Sequence, residues 1–111
     1  MDITYTDGTG PAFPALGAVH MKIIEKLPVL HRLGLHLRAG AELTKVAGRF
    51  KSRIQVSNGY REVSAKSLLD LLTLGAIYGT LLEFSAEGED ASQAIGAIRE
   101  LLDSWKEKRP L

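Results

Sequence analysis

The stretch RIQVSNGYREVSA, residues 53–65, alternates apolar and polar residues on both sides of an Asn-Gly pair. Ile54 and Val56 lie on one side of a pleated strand, and their polar neighbours face the other way. Asn58-Gly59 is a strong short hairpin signal, because both residues tolerate the positive φ of a type I′ turn. The spacing predicts strands at about 53–57 and 60–65. A hairpin obliges antiparallel pairing, so the chain is not an all-parallel α/β protein.

Working outward, IIEKLPVL at 23–30 has strand length and β-branched content. Pro28 lacks a ladder donor and belongs on an edge or near a strand end. Leu43, Val46, Ala47 and Phe50 repeat at helical spacing, which predicts a helix starting just after His36. Gly40 weakens it by roughly 1 kcal/mol relative to alanine. After the hairpin, Ser67-Leu-Leu-Asp70 has the form of a capping box before a helix at about 68–74. GAIYG reads as a loop. TLLEFSAE, 80–87, reads as a strand with Leu82, Phe84 and Ala86 on one face. Asp90 is placed to cap a final helix whose buried stripe is Ala94, Ile95, Ile98, Leu101, Leu102 and Trp105. The order is βαββαβα, and three helices on one face of a single antiparallel sheet make an α+β two-layer sandwich.

The chain has 111 residues, about one domain's worth, and 45% are apolar, enough for a core without staples. There is no cysteine, which excludes disulfides and thiolate metal sites. Net charge is +1, which gives no reason to expect nucleic acid as the main partner. No apolar run approaches the roughly 18 residues that would span a bilayer, so no membrane insertion is expected. Residues 1–21 carry two Asp, one His, no Lys or Arg, and several Gly, Pro and Thr. They read as a flexible N-terminal extension, with the domain proper at 22–111. Without Asp2 and Asp7 the remaining domain carries +3.

Three histidines are candidates for chemistry. His36 directly precedes a helix start, where backbone N–H groups are unpaired and the helix dipole is positive. Such a position binds phosphate. Arg38 adds a guanidinium suited to phosphate oxygens. A neutral imidazole is nucleophilic, so this histidine could take a phosphoryl group and hold it stabilised. The plainer reading, a surface loop histidine, stays open at this level. His20 lies in the N-terminal stretch and His31 near a strand end, and both are weaker candidates. Three scattered histidines do not make a zinc site, and no metal is expected. Ser67 reads first as an N-cap. A phosphoserine there would also sit at a helix start. Leu68, Leu69, Leu71, Leu72 and Leu74 cannot all face inward from one short helix. Some should form an exposed apolar patch, extended by Leu37 if the two helix starts lie close together.

LGLHLRAGAEL at 33–43, SNG at 57–59, AKSLLDLLTLGA at 65–76 and AEGEDA at 86–91 together resemble the histidine-containing phosphocarrier (HPr) family of the bacterial sugar phosphotransferase system. The likeness covers about residues 23–106. It implies an open-faced β-sandwich with a four-stranded antiparallel sheet. It also implies that His36 is phosphorylated on Nδ1 by phospho-enzyme I, with phosphoenolpyruvate as the source, and that the group passes to a histidine of enzyme IIA. By the same resemblance Arg38 stabilises the phosphate, and Leu37, Leu68 and Leu69 dock partners. Ser67 matches the serine phosphorylated by a dedicated kinase in some members. The carrier would be a cytoplasmic monomer without cofactor, and not an enzyme in the turnover sense. A regulatory relative, acting through phosphorylation-dependent partner binding in a nitrogen-related branch, is the alternative. Ala39 stands where the family usually has proline, Gly40 where alanine is common, and Asp70 where glycine or lysine is frequent. The N-terminal extension is not a family feature.

Overall fold

The computed structural model describes residues 21–106; residues 1–20, His20 among them, and residues 107–111 lie outside it. Seven elements follow in the expected order: β1 (Lys22–Pro28), α1 (Leu37–Ala47), β2 (Arg53–Ser57), β3 (Glu62–Ser64), α2 (Leu68–Leu72), β4 (Leu81–Glu87) and α3 (Ala91–Lys106). The strands form one sheet in the order β1-β4-β2-β3. Every pairing is antiparallel. Pro28 is the last residue of an edge strand, where its missing N–H leaves no gap in the ladder.

The register aligns the apolar residues across the sheet. Leu27 pairs with Leu82, Val56 with both Phe84 and Val63, and Ile54 with Ala86. All of these are buried, while Leu81, Glu83 and Arg53, pointing the other way, are exposed. One face of the sheet is therefore covered and the other is open to water. The cover consists of α1 and α3, with α2 beyond them against β3. Ala39, Leu43 and Ala47 of α1 and Ala94, Ile95, Ile98, Leu102 and Trp105 of α3 complete the core. Each large side chain buried here contributes roughly 1.5–3 kcal/mol.

Four local expectations are corrected. The hairpin is not a two-residue type I′ turn. Asn58 has negative φ, and only Gly59 is positive, at +95°. The Asn58 carboxamide oxygen accepts from the amides of Tyr60 and Arg61, both at 2.8 Å, and its NH2 donates to Leu74 O at 3.0 Å. The side chain thus organises a four-residue loop, and β3 starts at Glu62 instead of residue 60. Phe50 lies past the end of α1, in the loop to β2, and packs half-buried against the core. Helix α2 stops at Leu72, two residues short of the expected end, and Leu74 is buried beyond it.

The two caps differ from expectation as well. Ser67 does cap α2, its hydroxyl accepting from the Asp70 amide at 3.4 Å. The return half of the box is missing, because the Ser67 amide donates to Ser64 O. Asp90 precedes α3, but its carboxylate reaches across to the loop before β2. It accepts from the amides of Lys51 (2.8 Å) and Ser52 (2.9 Å) and from the Ser52 hydroxyl. The Ser52 hydroxyl, followed by the Lys51 amide, holds the Asp90 carboxyl below its ordinary pKa. Two turns 38 residues apart in sequence are joined by one carboxylate.

Candidate functional site

The chain leaves β1 at Pro28 and must reach the start of α1 in eight residues. Val29 O accepts from Gly79 N at 2.7 Å and Leu35 N donates to Ala76 O at 2.9 Å, so this loop runs along the α2–β4 connection. Gly34 sits between those anchors at φ +78°. A Cβ there would come within 2.6 Å of Ala76 O and 2.9 Å of Ile77 Cα. Glycine is required here both by backbone conformation and by the closeness of a second backbone. The turn closes with Gly34 N donating to His31 O at 2.8 Å, which folds His31 back toward His36.

His36 is the N-cap of α1, in extended conformation at φ −89°, ψ −169°. Its Nδ1 accepts from the Arg38 amide at 3.3 Å. The first intrahelical bond runs from Gly40 N to His36 O, so the amides of Leu37 and Ala39 precede the ladder and have no intrahelical acceptor. Histidine is an uncommon cap; here the ring nitrogen does what a serine or aspartate oxygen usually does. The imidazole is half-buried, and the side chains of Leu37 and Arg38 next to it are exposed.

The two helix starts meet. A Cβ placed on Gly40, in the first turn of α1, would lie 2.9 Å from Leu68 Cδ1 and 3.5 Å from Leu72 Cδ2 of α2. The glycine that reads in sequence as a helix-weakener is a point where side chains of α2 press close against the backbone of α1. Leu68 is half-buried in that contact. Leu69 is 76% exposed and Leu37 62% exposed. Leu33 and Ile77 add further exposed apolar surface on the loops beside them. The structure therefore brings Ser67, Leu68 and Leu69 to the same end of the molecule as His36, Leu37 and Arg38. This array of exposed leucines beside a histidine and an arginine is unusual for a surface with no partner.

The sequence fits the family described as "PTS HPr component phosphorylation site" over residues 24–104. The chain belongs to the HPr family. The HPr of Neisseria meningitidis serogroup A is 32% identical over 81 residues, covering 73% of this chain and 91% of that one. The HPr of Haemophilus influenzae is 48% identical over 62 residues, 56% of this chain and 73% of its own. Among solved structures, HPr-C-His from Thermoanaerobacter tengcongensis is similar with a TM-score of 0.75 and 31% identity, over 79% of this chain and 99% of that one. The HPr fold is the open-faced sandwich seen here, and HPr proteins are phosphocarriers of the phosphotransferase system. No helix among the described residues is long and apolar enough to cross a membrane.

Sequence reasoning passed over one feature of this cluster. His31, a weak candidate by position, places its Nδ1 3.3 Å from His36 Nε2. The rings meet edge-on, with centroids 4.6 Å apart and planes at 70°. Trp105 of α3 packs edge-on against His31 in turn, at 5.7 Å, and its indole N–H donates to Glu42 of α1 at 2.7 Å. A signal was available: two histidines five apart, with a turn glycine between them, are folded toward one another.

Proposed function

We propose that this protein accepts a phosphoryl group on His36 Nδ1 from phospho-enzyme I, charged by phosphoenolpyruvate, and delivers it to a histidine of a sugar-specific enzyme IIA in the cytoplasm. The observation that carries this reading is the cap geometry of His36. A nitrogen that accepts a backbone N–H presents a lone pair, which is the requirement for a nucleophile. The same nitrogen faces the amino end of α1, so a phosphoryl group formed there meets donors and the positive end of the helix. Arg38, two residues into that helix, supplies a guanidinium for its oxygens. Docking falls to Leu37, Leu68 and Leu69. The exposure of Leu37 and Leu69, with Leu68 half-buried between them and Gly40, offers a small area that suits weak, rapidly exchanging complexes with two successive partners. Ser67, at the edge of this patch, is the position where a serine kinase would install charge and hinder docking. Ala39 in place of proline leaves one more amide donor in the first turn of α1, adjacent to the group being transferred.

The test is phosphorylation with purified enzyme I, magnesium and labelled phosphoenolpyruvate. The expected product carries acid-labile, base-stable label, and His36→Ala takes up none while keeping its fold. Label that persists in His36→Ala, or a wild-type chain that stays unlabelled beside a functional enzyme I, refutes the assignment.

A further inference from the structure

We propose that His31 is a positioning residue for phosphoryl transfer, fixing the proton on His36 Nε2 so that Nδ1 is left as the nucleophile. This rests on the reading of His36 as the phosphoryl acceptor. Two backbone amides determine where the protons are. An amide N–H can only donate, and the Leu33 amide lies 3.3 Å from His31 Nδ1. That nitrogen therefore presents its lone pair. The same nitrogen is 3.3 Å from His36 Nε2, so Nε2 must be the one bearing hydrogen. At the other side of the His36 ring, the Arg38 amide donates to Nδ1. The two amides stand at opposite ends of the imidazole pair and require the same tautomer: Nε2–H, with Nδ1 unprotonated.

His31 is well held for this task. The turn bond from Gly34 N fixes its backbone. Trp105, 1% exposed, packs edge-on against its ring and is itself tied to Glu42. The far end of α3 thus braces the second histidine, which in turn orients the first. The arrangement follows the logic of a base held in one tautomer by a third group.

Transfer makes further use of the contact. The Nδ1 lone pair forms the new N–P bond. The bond from phosphorus to the ring nitrogen of the donor's phosphohistidine breaks, and its electron pair stays on that nitrogen. His36 keeps its Nε2 proton, so its ring acquires a positive charge shared by both nitrogens. His31 Nδ1 then accepts a hydrogen bond from a charged donor, which is stronger than the neutral bond it replaces. The reverse occurs when the group moves on, and no proton has to leave the site.

The experiment combines imidazole 15N spectra of the full chain with phosphorylation kinetics using enzyme I. Wild-type His36 should show a single Nε2–H tautomer. His31→Ala should show averaged shifts from mixed tautomers and a turnover with enzyme I lowered about tenfold, equivalent to about 1.4 kcal/mol. The KM for this protein should hold, because the leucine patch is untouched. His31→Asn, whose amide oxygen can accept from Nε2–H, should restore both the tautomer and the rate. An unchanged His36 spectrum and rate in His31→Ala overturns the proposal, as does a folded His31→Asn no better than His31→Ala. The spectra need no phosphoryl donor, so they decide on the histidine pair even where the wild-type chain fails to take up label, a result that counts against the proposed function instead.

Discussion

Replacing Gly34 by alanine tests how the reactive loop is held. The residue has φ +78°, a region that is unfavourable for any side chain by roughly 1–2 kcal/mol. The new Cβ would also fall 2.6 Å from Ala76 O and 2.9 Å from Ile77 Cα. Both are backbone atoms, so no rotamer change relieves the overlap. The loop must lift from the α2–β4 connection, stretching the Leu35–Ala76 bond, a further loss of about 1 kcal/mol. The sum is about 3 kcal/mol, a large share of a small domain's total stability. Gly59→Ala is the control. It has φ +95° but nothing within 4 Å of a Cβ, so only the conformational part applies, about 2 kcal/mol on the same reckoning. Urea unfolding followed by Trp105 fluorescence measures both. In thermal melts the shifts should be about 12–24 °C for Gly34→Ala and about 8–16 °C for Gly59→Ala. Below its melting temperature, Gly34→Ala should also accept phosphate slowly, because His31 and His36 ride on the lifted loop. Equal destabilisation in the two variants would refute the argument that backbone contact dictates glycine at 34.

Three other perturbations follow from the same geometry. Gly40→Ala gains up to about 1 kcal/mol of helix propensity and meets only the tip of Leu68, which can swing aside; a net rise in urea midpoint with weakened enzyme I binding is expected, and a fall in stability would show that the α1–α2 contact is rigid. Ser67→Asp keeps a competent helix cap, so stability should move by less than about 0.5 kcal/mol, while the charge beside Leu68 and Leu69 should weaken docking roughly tenfold in titration calorimetry. Asp90 has its folded-state pKa lowered by the Ser52 hydroxyl and the Lys51 amide, so its contribution is fully present above the ordinary value of 3.8 and is lost as pH falls through the lower folded value. Asp90→Asn should therefore be less stable at pH 7 and show a flatter acid limb, and an unchanged limb would mean the carboxylate is not linked to folding.

What could be read from the sequence divides along physical lines. The element order and the inward faces of β4 and α3 follow from periodicity, because a sheet with one covered face leaves a period-2 record and a covering helix a 3.6-residue one, and the edge position of Pro28 follows from its missing N–H. His36 was legible because a helix start is itself a local signal. The failures share a cause. Asn58 and Asp90 were read for what their residue types do next door, yet their side chains are committed to partners 16 and 38 residues away, at Leu74 and Ser52. Gly40 reads as a flaw in a helix and turns out to be the space in which a second helix fits. His31 looked idle for the same reason: its role depends on a turn glycine three residues on and on an indole 74 residues on, neither visible in local spacing. A histidine one residue before a helix is a common enough object. What distinguishes this one is a second imidazole five residues earlier, turned toward it by a glycine turn and braced by an indole from the far end of the chain, and that bracing is a property of the fold and not of the motif.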